Sequence, residues 1–308
     1  MIKPKGLEKG DLIGIVAPAS PLQGKQLDQA IEKFKAMGFR IEVGESCYSK
    51  DRYLAGDDSI RVKDINNYFS NKEIKGIVSL RGGYGSQRLL KNIDFDMIMK
   101  NPKIFIGYSD ITAIHIAINQ LSRLITFHGP MALNIPHMDE FTASSLLNTI
   151  MINKGSYEIN NPPFYEIHTL RRGIASGILT GGNLSMIVST LGTPYEIETK
   201  GRILFVEDIK EEGYKIDRML TQLSLAGKLE EVAGIIIGNF KDCCYQEDHK
   251  DVPLYKLFKE KLPHNIPILY NLMAGHCKPN ITLPLGARTT INAEEGKILI
   301  QESVLDEV

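Results

Sequence analysis

The sequence predicts an α/β fold: an N-terminal parallel-sheet domain over 1–150, a linker over 151–173, and a β-rich α/β domain over 174–308. Two observations carry the first part. Short apolar runs of strand length alternate with segments of helical period, and the runs end in glycine, serine or proline, as in parallel sheets covered by helices. One observation carries the rest: after a stretch with breakers and no clear period, apolar alternation resumes near Gly173 and becomes strand-dominated toward the end.

Taken in order, Leu12–Ala17 reads as a strand that ends before Pro18 and Ser20. Leu27, Ile31, Phe34 and Met37 follow at helical spacing, closed by Gly38. Phe39–Val43 alternates as a strand, Ser59–Phe69 reads as a helix, and Ile74–Leu80 is the next strand. It runs into the glycine-rich Arg81-Gly-Gly-Tyr-Gly-Ser86. The strand before Ser109, a buried helix from Ile111, and Leu124–Pro130 complete the first half. In such sheets ligands gather at the carboxyl ends of strands, where Ser20, the Arg81 loop, Ser109 and His128 all fall. Beyond the linker, Gly181-Gly-Asn-Leu-Ser185 opens a helix, Arg202–Asp208 is a strand, Tyr214–Leu225 a helix and Gly234–Gly238 a strand. The segments Ile281–Arg288 and Gly296–Ile300 close the chain as β structure, and no internal repeat is present.

The composition is that of a globular protein, with 308 residues, 43% hydrophobic and a net charge of −1. A charge near zero offers no electrostatic hold on nucleic acid or anionic membrane. No apolar run reaches the roughly 20 residues that a bilayer helix needs, and the first residues contain no secretory h-region. Cys47, Cys243, Cys244 and Cys277 include a vicinal pair, a poor disulfide framework, so reduced thiols in a cytoplasmic protein are expected.

Ser109 is the first chemical candidate. A serine on a turn between a buried strand and a buried helix is where a nucleophile elbow presents its hydroxyl. The helix start there offers N–H groups and positive dipole to an oxyanion. Ile111 stands where the second glycine of G-x-S-x-G would be, and Ser109 or Asp110 as a helix cap explains the same residues. Local sequence leaves both readings open. A nucleophilic serine needs a base and an acid to orient it. Glu207 ends the strand Ile203–Val206, where a carboxylate is costly without a partner. His276 lies in the loop Met273-Ala-Gly-His-Cys-Lys-Pro-Asn280. The order Ser, acid, His is one in which triads occur. A solvated strand end and an ordinary loop histidine remain the plain alternatives, and Asp208 would face the other side of the strand.

As a dinucleotide fingerprint, Gly83-Tyr-Gly-Ser-Gln-Arg88 has arginine in place of the third glycine and follows the wrong strand. The consecutive glycines are better suited to bringing backbone N–H groups against a ligand. The seven histidines form no H-E-x-x-H pattern and no paired C-x-x-C occurs, so neither metal nor cofactor is expected. His115, on an apolar helix face, reads as packed. Cys277 lacks an elbow and a helix N-terminus, and Arg171-Arg172 read as solvated charge.

Taken together, several segments resemble the LD-carboxypeptidase family of serine peptidases. They are Gly14–Ser20, Leu80-Arg-Gly-Gly-Tyr-Gly85, Ile106–Ala113, Phe127-His-Gly-Pro130, Thr180-Gly-Gly-Asn-Leu184, Phe205-Val-Glu-Asp208, Tyr214–Leu220, Gly275-His276 and Leu283-Pro-Leu-Gly286. The resemblance spans nearly the whole chain. It implies an active site between the two domains, with Ser109 as nucleophile, His276 as general base and Glu207 as its orienting acid. The backbone N–H of Asp110 and one from Gly82-Gly83 would form the oxyanion hole. It further implies a homodimer and a murein-derived peptide substrate, cut between an L-configured centre and a terminal D-Ala during cell-wall recycling. An exopeptidase also needs a cation for the free carboxylate of its substrate, and Arg81 beside the glycines is the candidate, with a strand-end salt bridge as its alternative. A second branch of the family cleaves peptidyl-aminoacyl adenylates and stacks the base on a tryptophan. This chain has none, although Tyr or Phe can also stack. A ligand-binding α/β protein in which Ser109 only caps a helix is the alternative of another class.

Overall fold

The computed structural model describes all residues except 23–25, 153–154, 244, 248–249 and 307–308. Five strands, β1 (Leu12–Val16), β2 (Arg40–Val43), β3 (Ile74–Ser79), β4 (Ile104–Gly107) and β5 (Thr126–His128), run parallel in the order β2-β1-β3-β4-β5. The central strands β1, β3 and β4, buried on both faces, are almost continuously apolar, as that environment demands, whereas the edge strand β2 alternates. The helices are α1 (Gln26–Ala36), α2 (Asp58–Ser70), α3 (Phe95–Lys100), α4 (Thr112–Ala117) and α5 (Glu140–Met151). Asp57 starts α2 by accepting the Ser59 N–H at 2.8 Å, an N-cap before the apolar face of that helix. Strand order reverses between β1 and β3, so a crevice opens beyond their carboxyl ends.

A second sheet holds β6 (Tyr157–Ile159), β7 (His168–Arg171), β8 (Ile174–Asn183), β9 (Ile203–Ile209), β10 (Gly234–Lys241), β13 (Ile268–Gly275), β15 (Arg288–Asn292) and β16 (Lys297–Ile300). Its centre, β8-β9-β10-β13, is parallel; β15, β16 and β6 extend one side antiparallel and β7 the other. α6 (Leu184–Ser189), α7 (Gly213–Leu225) and α8 (Tyr255–Lys261) accompany it, and β11 (Tyr245–Glu247) pairs with β12 (Lys250–Val252) as a separate ribbon. No described helix is long and apolar enough to cross a membrane. Cys47, Cys243 and Cys277 are free thiols, and Cys244 lies outside the described residues.

Two readings need correction. The stretch 151–173 is more than a linker, because it supplies β6 and β7, the outermost strands of the second sheet. Strands of three and four residues at sheet edges carry too little period to stand out beside Pro162-Pro163. Ile281–Arg288 is not one strand: β14 (Leu283–Leu285) pairs antiparallel with β5 of the first sheet, and Gly286 at φ +97° turns the chain into β15 of the second. The halves therefore share material. A single apolar cluster contains Ile15, Val78, Ile106 and Phe127 of one sheet with Leu179, Phe205, Ile236 and Leu272 of the other.

Candidate active site

Ser109 leaves β4 with φ at +63°, a left-handed conformation that costs a non-glycine residue on the order of 1–3 kcal/mol. The turn is built by its neighbours. A Cβ on Gly107 would lie 2.7 Å from Ile111 Cγ2 and 3.0 Å from Ser79 Oγ, so Ile111 occupies the space that the glycine leaves. That contact explains how an isoleucine stands where an elbow usually has its second glycine. His115, wholly buried one turn into α4, donates its Nε2–H to the Gly107 carbonyl at 2.9 Å. Burial pushes this imidazole down to about 3, so it is a neutral, packed donor.

Neither Ser109 nor Asp110 caps the helix with its side chain. The buried Asp110 carboxylate instead accepts the N–H groups of Gly85 (3.3 Å) and Ser86 (2.8 Å), which clamps the glycine loop beside Ser109. Burial raises its pKa, and the bonds from Ser86 and Gly85 oppose that rise. From below, the fully buried Arg61 of α2 donates to the carbonyls of Pro18 and Gly85 and pairs with Asp58. Gly82 then sits directly on the serine: a Cβ there would be 2.8 Å from Ser109 Cβ, 2.9 Å from its Oγ and 3.5 Å from the Asp110 N. Among the described residues, the N–H groups of Gly82, Gly83 and Asp110 meet no protein acceptor. Gly83, at φ +122°, packs on Ser20, whose Oγ accepts the Tyr84 N–H at 3.2 Å. Arg81 is half-buried, reaches the Pro21 carbonyl at 3.5 Å and makes no ion pair among the described residues.

The second sheet contributes Glu207, near the carboxyl end of β9, and His276 just after β13. Glu207 is wholly buried, and its Oε2 accepts both the His276 Nδ1–H at 2.6 Å and the His276 backbone N–H at 3.2 Å. The strands can approach this closely because position 275 is glycine at φ +111°; a Cβ there would fall 2.5 Å from Glu207 Oε2. Asn280 Oδ1 accepts the Gly275 N–H and fixes the loop. Burial alone would raise the Glu207 pKa, but the imidazoles of His128 and His276 outweigh it and hold the carboxyl near 2. At 3.8 Å, His128 Nε2 lies beyond hydrogen-bond reach, so His276 supplies the bond and His128 acts at longer range. Asp208, on the other face of β9, accepts from Asn183 and Ser185 and anchors the start of α6.

The two halves meet at the helix start. Thr112 Oγ1 accepts the Asn183 N–H at 3.0 Å, and a Cβ on Gly182 would strike that oxygen at 2.6 Å. The Tyr108 ring packs edge-on against His276 at 4.9 Å, which carries the histidine to the residue beside Ser109. Among the described residues no hydrogen bond joins Ser109 to His276, and catalytic bonds are often open before substrate binds. With Nδ1–H committed to Glu207, His276 Nε2 is left as the basic nitrogen. Burial pushes the Cys277 thiol up to about 12, so it carries no thiolate at neutral pH. Sequence reasoning missed Arg61, Tyr108 and Asn280. Only Arg61 leaves a signal, as an arginine within the apolar face Val62, Ile65, Phe69.

Comparison with known proteins identifies the family. Residues 13–129 match the LD-carboxypeptidase N-terminal domain and residues 176–291 the LD-carboxypeptidase C-terminal domain. A Bacillus subtilis (strain 168) protein named "Probable murein peptide carboxypeptidase" is 40% identical, over 98% of this chain and 95% of its own. The microcin C7 self-immunity protein of Escherichia coli is 30% identical, over 97% and 95%. A structure of a microcin C7 self-immunity protein superposes with a TM-score of 0.92 at 26% identity, over 99% of this chain and 100% of that one. The muramoyltetrapeptide carboxypeptidase of Oxalobacter formigenes superposes with a TM-score of 0.80 at 30% identity, over 94% and 97%. On these matches, across both sheets and nearly the full length, the chain belongs to the LD-carboxypeptidase family of peptidases.

Proposed function

We propose that the chain is a serine carboxypeptidase that removes the terminal D-Ala of murein tetrapeptides by an acyl-enzyme route during cytoplasmic cell-wall recycling. One observation carries this reading: a strained, half-buried Ser109 lies against a glycine turn whose backbone N–H groups, like that of Asp110, meet no acceptor among the described residues, while a buried carboxylate orients a histidine whose ring packs on the adjacent Tyr108. His276 Nε2 takes the Ser109 proton as Oγ attacks the amide carbonyl on the L-configured centre. The N–H groups of Asp110 and the Gly82-Gly83 turn receive the developing oxyanion, where each donor is worth about 2.7–4 kcal/mol of barrier. His276 then protonates the leaving amine, D-Ala departs, and water hydrolyses the ester by the same base. Arg81, without an ion-pair partner among the described residues, is the cation for the free carboxylate. The family resemblance suggests a homodimer.

A second reading has specific support. The microcin C7 self-immunity protein has been solved with aspartyl sulfamoyl adenosine and, as a variant with tryptophan changed to phenylalanine, with adenosine monophosphate. Lack of tryptophan here therefore does not by itself exclude a nucleotide-bearing substrate. Mass spectrometry of products from tetrapeptide, pentapeptide and peptidyl-aminoacyl adenylate, with Ser109→Ala as blank, tests the proposal. Release of D-Ala from tetrapeptide by the wild type alone supports it. Turnover of only the adenylate replaces it with the second reading.

A further inference from the structure

His128 is a buried polar group that the mechanism above does not use. It is fully buried at the end of β5, and among the described residues neither ring nitrogen has a hydrogen-bond partner. Glu207 Oε1 is also fully buried, has no hydrogen-bond partner among the described residues, and lies 3.8 Å from His128 Nε2. An unpaired buried polar atom costs on the order of 1–3 kcal/mol. The two atoms are thus each other's remedy, and closing the gap to an ordinary bond of about 2.9 Å needs a shift of about 0.9 Å. The ring is aimed rather than loose. It packs between Tyr108 at 5.8 Å and Phe205 at 5.1 Å, and its backbone is held in register with Gly107 on one side and Leu283 on the other.

We propose that His128 is a positioning residue that donates Nε2–H to Glu207 Oε1, leaving Oε2 for His276 and locking the carboxylate rotamer. The consequence is structural as well as chemical. Glu207 belongs to the second sheet and His128 to the first, so the acid reaches its working geometry only when the halves are docked. The kinetic part of this inference rests on the proposed hydrolysis; the structural part does not.

The test combines kinetics with a readout independent of turnover. In the downfield proton spectrum the His276 Nδ1–H resonance is assigned by its loss in Glu207→Gln. His128→Leu is expected to lower kcat about 10²-fold, the usual cost of misplacing a catalytic group by about 1 Å, with KM nearly unchanged and the resonance shifted or broadened. His128→Gln, whose amide can donate to Oε1, is expected to recover most of kcat and restore the resonance. Wild-type kcat and an unmoved resonance in His128→Leu overturn the inference. So does a folded His128→Gln as impaired as His128→Leu, which marks a packing role alone. If His128→Leu does not fold, the His128→Gln result decides in the same way. If the wild type hydrolyses none of the peptides, the functional reading fails, while the resonance in the variants still judges His128.

Discussion

An alanine at position 82 probes the proposed oxyanion site with a single methyl group. Gly82 is not among the positive-φ glycines, so the change adds no left-handed strain and keeps its N–H. The new Cβ would sit 2.9 Å from Ser109 Oγ and 2.8 Å from Ser109 Cβ, against an ordinary contact of about 3.5–4.0 Å. Ser109 cannot yield by swinging freely, because its backbone is fixed at φ +63° between Gly107 and Ile111. Relief therefore means a displacement of roughly 0.7 Å or more between nucleophile and loop. The methyl group also stands 3.5 Å from the Asp110 N, in the space where the substrate carbonyl oxygen would be received. Misplacement of this order costs about 10²-fold in rate, or roughly 2.7 kcal/mol, and blocking a donor adds a comparable amount. The expected result is a fall in kcat of at least about 10²-fold, with a melting temperature close to wild type. D-Ala release measured by coupled assay, beside thermal unfolding, checks both. A Gly82→Ala variant with wild-type kcat refutes the placement of the oxyanion beside Gly82.

Glu207 is held near 2, below its ordinary value of 4.5, so its contribution to stability is complete above pH 4.5 and is lost as pH falls toward 2. That contribution is roughly 3 kcal/mol; unfolding measured against pH should show the gap between wild type and Glu207→Gln shrinking across this window, and a constant gap contradicts the pairing. Arg61→Met should cost about 3 kcal/mol by leaving the Pro18 and Gly85 carbonyls without their charged donor, and should lower kcat through the loosened glycine loop. Unfolding and kinetics close to wild type would contradict that role.

The parallel sheet was legible because each of its central strands is buried on both faces and reads as an apolar run. β6 and β7 were not, since strands of three and four residues present almost no period, and β14 was legible as β structure but not as a strand of the first sheet. Ser109 could be picked out because a strand, a glycine and a helix bracket it. Whether its neighbour Asp110 caps a helix or clamps a loop depends on Gly85 and Ser86, which only the fold brings close. Glu207 and His276 stood out singly as a buried carboxylate and a loop histidine. Their 2.6 Å bond depends on β9 and β13 flanking β10, and on Gly275 having no side chain. His128 was visible only as a residue at a strand end; its closeness to Glu207 arises from the docking of two sheets, which no local pattern encodes.

The central claim is that Ser109 Oγ is the nucleophile, and kcat of Ser109→Ala on a murein tetrapeptide tests it most directly. The account predicts a loss of about 10⁴-fold or more, with unfolding unchanged or slightly improved as the hydroxyl leaves. D-Ala release within tenfold of wild type from a folded Ser109→Ala protein would contradict it.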